Sequence, residues 1–318
     1  MEPCAAEALG SGSADSKFHD HSEFAIVAFL DHIEHRVNRF IRVKRRMIAL
    51  LNEQKQAIIH RAVTRGLDPN VRLKPSGVEW LGDVPEHWDV RRAKYLFREV
   101  DNRSTTGRDV LLSLRMYQGL VPHNEVSQIP IGADNLIGFK KVQPEQIVMN
   151  RMRAAIGLFG VATESGIVSP DYAVFEALEL LEPKYFSHLF KTRAAGSVFR
   201  LESKGLGTGS SGFMRLYTDR FGRISLPFPP VDEQAAILQS VTQATSKLEL
   251  TISHTQREID LIREYRTRLI ADVVTGKLDV RGVDLAAYGD EIVGLDEALA
   301  DEGDAGDEEL ELASEAEE

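Results

Sequence analysis

The chain has 318 residues, 43% of them hydrophobic, so it can bury a real core and is not disordered throughout. Its single cysteine, Cys4, excludes an internal disulfide and a thiolate cluster for zinc. The net charge of −11 is unevenly spread: residues 290–318 hold fourteen carboxylates and no Lys or Arg, which leaves +3 on the rest and keeps a polyanion partner in play.

Residues 1–22 have neither a basic start nor an apolar run, and the stretch Ala25–Leu30 is cut by Asp31. A disordered N-terminus and a cytoplasmic protein are expected, in keeping with the near absence of cysteine. Residues 23–68 read as a long helix, because Ala25 to Arg65 contains no Gly or Pro and is rich in Leu, Ile, Arg and Gln. Residues 23–74 carry eleven basic and five acidic side chains, concentrated at Arg36, Arg39, Arg42, Lys44, Arg45 and Arg46. Such a face is either a solvated helix surface or a contact for phosphate or a partner.

Residues 69–230 change character, with short apolar runs, frequent glycine and turn pairs. Asp109–Leu114, Gln146–Met149, Leu158–Ala162 and Tyr172–Phe175 lean to strand, and Pro183 to Ala194 is the clearest helix. An α/β domain with a mixed sheet is expected. From residue 75 on, this region has nineteen basic against seventeen acidic side chains, so any nucleic-acid surface must come from placement of charge rather than excess.

A second long helix is expected over 231–281, entered from an extended Pro-rich segment with Asp232 as its natural N-cap. It repeats the first at an offset of 211 residues without a gap: Ala25-Ile26 falls on Ala236-Ile237, Ile41 on Ile252, Ile48 on Ile259, Ile59 on Ile270 and Val63-Thr64 on Val274-Thr275. Heptad rows run through Leu30, Val37, Lys44, Leu51 and Ile58 beside Ile41 and Ile48, and through Val241, Leu248, Thr255, Ile262 and Leu269 beside Thr245, Ile252, Ile259 and Val273. The fold class is therefore α+β: one α/β domain plus a long two-helix antiparallel coiled coil whose seam Lys44 and Thr255 weaken. Both helices end at glycine, Gly66 and Gly276, and Pro69 blocks continuation of the first. Residues 282–318 read as an acidic disordered tail.

Several runs in this order carry a resemblance: GVEWLGDVPEHWDVRR at 77–92, GLVP at 119–122, NRMR at 150–153, GIVSPDY at 166–172 and LPFPPVDEQAAI at 226–237. Together with the repeated helix they resemble the DNA specificity subunit of type I restriction-modification systems over residues 23–281. The resemblance implies a subunit that binds double-stranded DNA and recruits methyltransferase subunits, joined by a restriction and translocation subunit for cleavage. It implies no catalytic centre or cofactor in this chain, with S-adenosylmethionine, ATP and magnesium belonging to the partners. In that family a recognition domain, here 69–230, reads each half of a split target, and the paired helices set the spacing. The family plan normally runs domain, helix, domain, helix, whereas here Ser22-Glu23 stands where Glu233-Gln234 stands in the second copy. A half-subunit that forms a homodimer, a recombination cassette and an inactive remnant all fit that departure.

Base reading needs paired donors and acceptors, and phosphate contact needs cations or hydroxyls on loops of a rigid domain. Three segments qualify. Ser113, Arg115 and Tyr117 share a face if their segment is a strand end, Arg151 and Arg153 alternate likewise, and Lys204, Ser210, Ser211 and Arg215 flank a glycine-rich loop able to approach a backbone. Trp80 and Trp88 suit packing of the domain against a helix end better than base stacking.

A metal-dependent nuclease has one literal support, Pro170-Asp171 followed by Glu202-Ser203-Lys204. Asp171 also lies inside the SPDY run that the resemblance already explains. No P-loop, dinucleotide fingerprint or methyltransferase motif occurs, and His87 lacks neighbours at metal-ligand spacing. A coiled-coil adaptor is the remaining alternative.

Overall fold

The structure, a computed structural model, describes residues 14–116, 118–206 and 213–283. Those residues form two compact units, one of 14–52 with 248–283 and one of 53–247. The two long helices contribute to both.

Helix α1 spans Ala14–Arg65. It starts well before residue 23, so the expected disorder is corrected for residues 14–22, while residues 1–13 and 284–318 lie outside the described set. Helix α8 spans Val231–Val274. Its first turn is capped by the Pro230 carbonyl, which accepts from the amides of Glu233 and Gln234 at 2.9 and 3.0 Å. Asp232 therefore sits inside the first turn, where its charge favours the helix dipole, and not at the cap as expected.

In the first unit the two helices are antiparallel. Glu34 faces Arg266 at 3.7 Å and Lys44 faces Glu258 at 2.8 Å, so α8 descends as α1 ascends. Val37, Ile41, Ile48 and Ile259 are buried between them, with Ile33, Ile252 and Ile262 packed alongside. Ile48 and Ile259 are equivalent positions of the repeat, so an approximate two-fold relating the copies runs close to that pair. The polar seam positions are accommodated differently. Thr255 is buried with its hydroxyl donating to Thr251 of its own helix at 2.9 Å, whereas Lys44 reaches out to Glu258.

In the second unit α1 stops where Gly66 adopts φ +74°, a left-handed cap that suits glycine. A side chain there would also press to 3.1 Å from the Glu233 carboxylate. The hairpin β1 (Leu73–Pro75) with β2 (Asp83–Pro85) precedes β3 (Asp89–Arg92), the one-turn α2 (Ala93–Leu96) and β4 (Phe97–Val100). The hairpin β5 (Leu112–Arg115) with β6 (Gly119–Pro122) leads through the short α3 (His123–Val126) and α4 (Ala133–Leu136) to β7 (Lys140–Val142). Then come β8 (Ile147–Asn150), β9 (Phe159–Val161), β10 (Gly166–Val168) and β11 (Tyr172–Ala177). The chain continues as α5 (Pro183–Phe190), α6 (Arg193–Glu202), the pair β12 (Lys204–Leu206) and β13 (Phe213–Arg215), α7 (Thr218–Phe221) and β14 (Ser225–Phe228).

The main sheet has four strands in the order β4-β11-β8-β9. All ladders among the described residues are antiparallel, which corrects the expected mixed sheet; the one parallel pairing among them is the isolated Leu111–Ile167 bridge. The expected helix from Pro183 to Ala194 is two helices, because Thr192 leaves the helical conformation and its hydroxyl caps α6 by accepting from Ala195 N.

An aromatic core fills the space behind the sheet. Phe97, Phe159, Phe175, Phe186, Phe190, Phe199 and Phe221 are buried and in ring contact, with Phe159–Phe190 and Phe175–Phe221 centroids 4.9 Å apart. Ile59, Ala62 and Val63 of α1 and Ile237 and Val241 of α8 join the same core, which anchors both helix segments in this unit. The incoming strand β3 pairs with the outgoing β14, Arg91 opposite Leu226, so the domain closes on itself at its base.

Candidate nucleic-acid interface

At the end of β8 the side chain of Asn150 accepts from the amides of Met152 and Arg153, at 3.0 and 3.2 Å, and turns the chain out of the sheet. Residues 151–153 therefore form a turn and not a strand end, and the expected alternation of Arg151 with Arg153 does not hold. The turn sends the two arginines to different tasks.

Arg151 is directed inward. Its Nη2 donates to Glu99 Oε1 at 2.5 Å and its Nη1 to the carbonyl of Asp171 at 3.1 Å, while its own carbonyl accepts from Leu216 N at 2.9 Å. Glu99 on β4 gathers further donors, Lys140 Nζ at 3.0 Å and the Thr218 hydroxyl. Burial alone would raise the Glu99 pKa. The hydrogen bonds from Thr218 and Lys140 and the charges of Arg151 and Lys140 outweigh it and hold the carboxyl below its ordinary value. Arg151 thus organises the site by tying β4, β8, β11 and the segment after β13 together, and is not placed to read bases.

The remaining cations are linked to Asp171 and its neighbour Tyr172. Arg215 Nη2 pairs with Asp171 Oδ1 at 3.2 Å, and Lys204 lies opposite Arg215 in the β12–β13 register, exposed. The charges of Arg153 and Arg115 act on Tyr172, which follows Asp171. Burial raises the Tyr172 phenol above its ordinary pKa, opposed by the Arg153 charge, a hydrogen bond with Asn150 and the Arg115 charge, and assisted by Asp171. Ser113 and Arg115 share the half-exposed face of β5, as strand alternation requires, but Ser113 Oγ is engaged by His123 Nδ1 at 2.9 Å. Tyr117, Ser210 and Ser211 lie outside the described residues.

The structure therefore brings Arg115, Arg153, Lys204 and Arg215 into one neighbourhood and withdraws Arg151 from it. Sequence reading missed Glu99 and Lys140. Lys140 is buried although it opens a Lys-Lys pair that reads as exposed charge, and Glu99 stands in no local pattern. Tyr172 and Asn150 stood within the GIVSPDY and NRMR runs but were not singled out.

The nuclease pair is separated in its commitments. Asp171 pairs with Arg215 and Glu202 with Arg220 at 3.3 Å, and among the described residues no cluster of three His, Cys, Asp or Glu is arranged to hold a metal. The runs at 77–92 and 226–237 serve the base of the domain instead. Trp88, fully buried, donates its indole N–H to Glu233 Oε2 at 2.9 Å, and His87 Nε2 meets the same oxygen at 2.7 Å. Gln234, also buried, accepts from Glu182 N at 2.9 Å and donates to the Pro229 carbonyl at 2.8 Å. Trp88 is therefore structural, and Trp80 packs partly buried against the same core. No described helix is long and apolar enough to cross a membrane.

A family model described as the type I restriction modification DNA specificity domain matches residues 92–260. A chain from the structural study of complex assembly and conformational transition of the type I R-M system aligns with TM-score 0.50 and 14% identity, over 78% of this chain and 57% of that one. The HsdS subunit of Thermoanaerobacter tengcongensis aligns with TM-score 0.42 and 13% identity, over 80% and 58%. The S subunit of the M. genitalium type I restriction-modification system aligns with TM-score 0.39 and 12% identity, over 79% and 60%. This chain thus spans less than two thirds of the length of these structures. No curated protein matches. The family match covers more than half of the sequence, and the chain belongs to the type I restriction-modification DNA specificity family.

Proposed function

We propose that this chain is the DNA-recognising subunit of a type I restriction-modification complex, reading one half of a split target. The observation that carries this reading is the gathering of Arg115, Arg153, Lys204 and Arg215 around Asp171 and Tyr172 in a domain of that family. Phosphate contacts would orient the domain, and arginine forks would select bases in the major groove. The reading makes the subunit non-catalytic, with S-adenosylmethionine, ATP and magnesium used by methyltransferase and restriction partners. The assembly studied for the 14% identical chain supports partners of that kind. A second copy of this chain would supply the other recognition domain. The near two-fold of the helix pair at Ile48 and Ile259 supports such an arrangement, which would make the target symmetric.

Co-expression with a type I methyltransferase subunit tests the proposal. Co-elution and methylation of adenines within one fixed motif are expected, with Arg153→Ala/Arg215→Ala retaining the complex and losing methylation. A complex that never forms, or methylation indifferent to those substitutions, would overturn it.

A further inference from the structure

The first unit carries a feature that DNA reading by the second does not use. Asn38, Ile41, Arg42, Arg45, Arg263 and Arg266 line a groove of about 340 Å³ between α1 and α8. Four guanidinium groups share this space. Arg263 leans on Asp260 at 3.4 Å and Arg266 on Glu34 at 3.7 Å, but Arg42 and Arg45 are exposed and have no carboxylate partner among the described residues. Arginines in excess of their carboxylates fit a ligand rich in carboxylates.

We infer that this groove is the docking site of the chain's own acidic segment, residues 290–318. That segment has fourteen carboxylates and no Lys or Arg with which to pair internally, and Leu295, Leu299, Leu310 and Leu312 punctuate it. The connection is short enough. Helix α8 closes with Gly276 at φ +73° and Leu278 N donating to the Asp272 carbonyl at 3.0 Å, a cap that takes the following chain off the helix axis. From Val274 back to Arg266 is roughly 12 Å along the helix. Residues 284–290 alone span up to roughly 23 Å when extended, about twice that distance. Tethering on this scale supplies an effective concentration on the order of millimolar. A docked acidic segment neutralises the basic face of α1 and leaves the recognition domain as the cationic surface open to DNA.

The test uses the full chain with Cys4→Ser and a dye pair at Thr267→Cys and Ser314→Cys. Energy transfer should be high at about 50 mM salt, fall steeply by about 1 M, where charge pairs are screened, and fall at the lower salt in Arg42→Glu/Arg45→Glu. Arg42→Gln/Arg45→Gln should lie between, and helicity by circular dichroism checks that each variant is folded. Transfer that is equal in the parent and charge-reversed chains overturns the inference. If it is equal while affinity for a random DNA duplex drops tenfold or more, the groove is a phosphate site; if both are unchanged, it is a solvated arginine face.

Discussion

Trp88 donates its indole N–H to Glu233 at 2.9 Å although 145 residues separate them. The bond joins the segment entering the domain to the first turn of α8, and Gly66 at the end of α1 packs against both partners. Three distant pieces of chain therefore meet at one carboxylate, which explains why the Trp-containing and Asp-Glu-Gln runs occur together. Tyr185 completes the junction by donating to the Val63 carbonyl at 2.8 Å, with burial and the Glu233 charge pushing its phenol well above the ordinary pKa.

Trp88→Ala should cost about 3–5 kcal/mol, the range for deleting a large buried aromatic side chain, and Glu233→Gln about 1–2 kcal/mol, because the amide keeps the shape and one acceptor. Urea midpoints at constant slope measure both. Equal and small effects would show that the junction does not hold the domain together.

The Glu99 network sets an acid limit. Its carboxyl has a folded pKa below the ordinary value, so its stabilisation is fully present above the unfolded pKa of about 4.3 and is lost as pH falls through the folded value. Thermal melts at several pH values should show the parent losing Tm in that acidic window. Glu99→Gln should start lower at neutral pH and change less across it.

Arg151 and its neighbours should separate by readout. Arg151→Ala removes one donor from the Glu99 carboxylate, which keeps Lys140 and Thr218, and should cost about 1.5–3 kcal/mol. Arg153→Ala, Lys204→Ala and Arg215→Ala should change Tm little and weaken duplex binding, and the log–log salt slope should fall by about 1 for each phosphate that is no longer neutralised. Substitution of a base-reading arginine should relax specificity at one position by about 1–3 kcal/mol instead.

In the helix pair, Ile259→Ala removes a side chain only 1% exposed and should cost about 2–5 kcal/mol. Glu258→Gln, which breaks the partly exposed pair with Lys44, should cost about 1 kcal/mol or less. Denaturation followed by helix circular dichroism distinguishes them.

Much of the fold was legible because it is written in periodic or local signals. The offset repeat and heptads foretold an antiparallel helix pair with Ile48 and Ile259 inside, and Gly66 and Gly276 marked the helix ends. What was illegible depends on long-range geometry. Asn150 bends the chain through a local side-chain bond, and that single turn removes Arg151 from the surface where alternation had placed it beside Arg153. Lys140 reads as exposed charge until Glu99, 41 residues away, is brought to it by the sheet. Lys204 and Arg215 were chosen as ends of one loop, and their pairing across β12 and β13 explains why they belong to one surface.

Whether this domain discriminates DNA sequence is read most directly by selection from a randomised duplex library at about 150 mM salt with the complete chain, followed by sequencing of the retained DNA. One short motif should be enriched, and the enrichment should vanish in Arg153→Ala/Arg215→Ala while the protein stays folded. Retention of all sequences alike, or a motif unaffected by that double substitution, would contradict sequence reading by this surface.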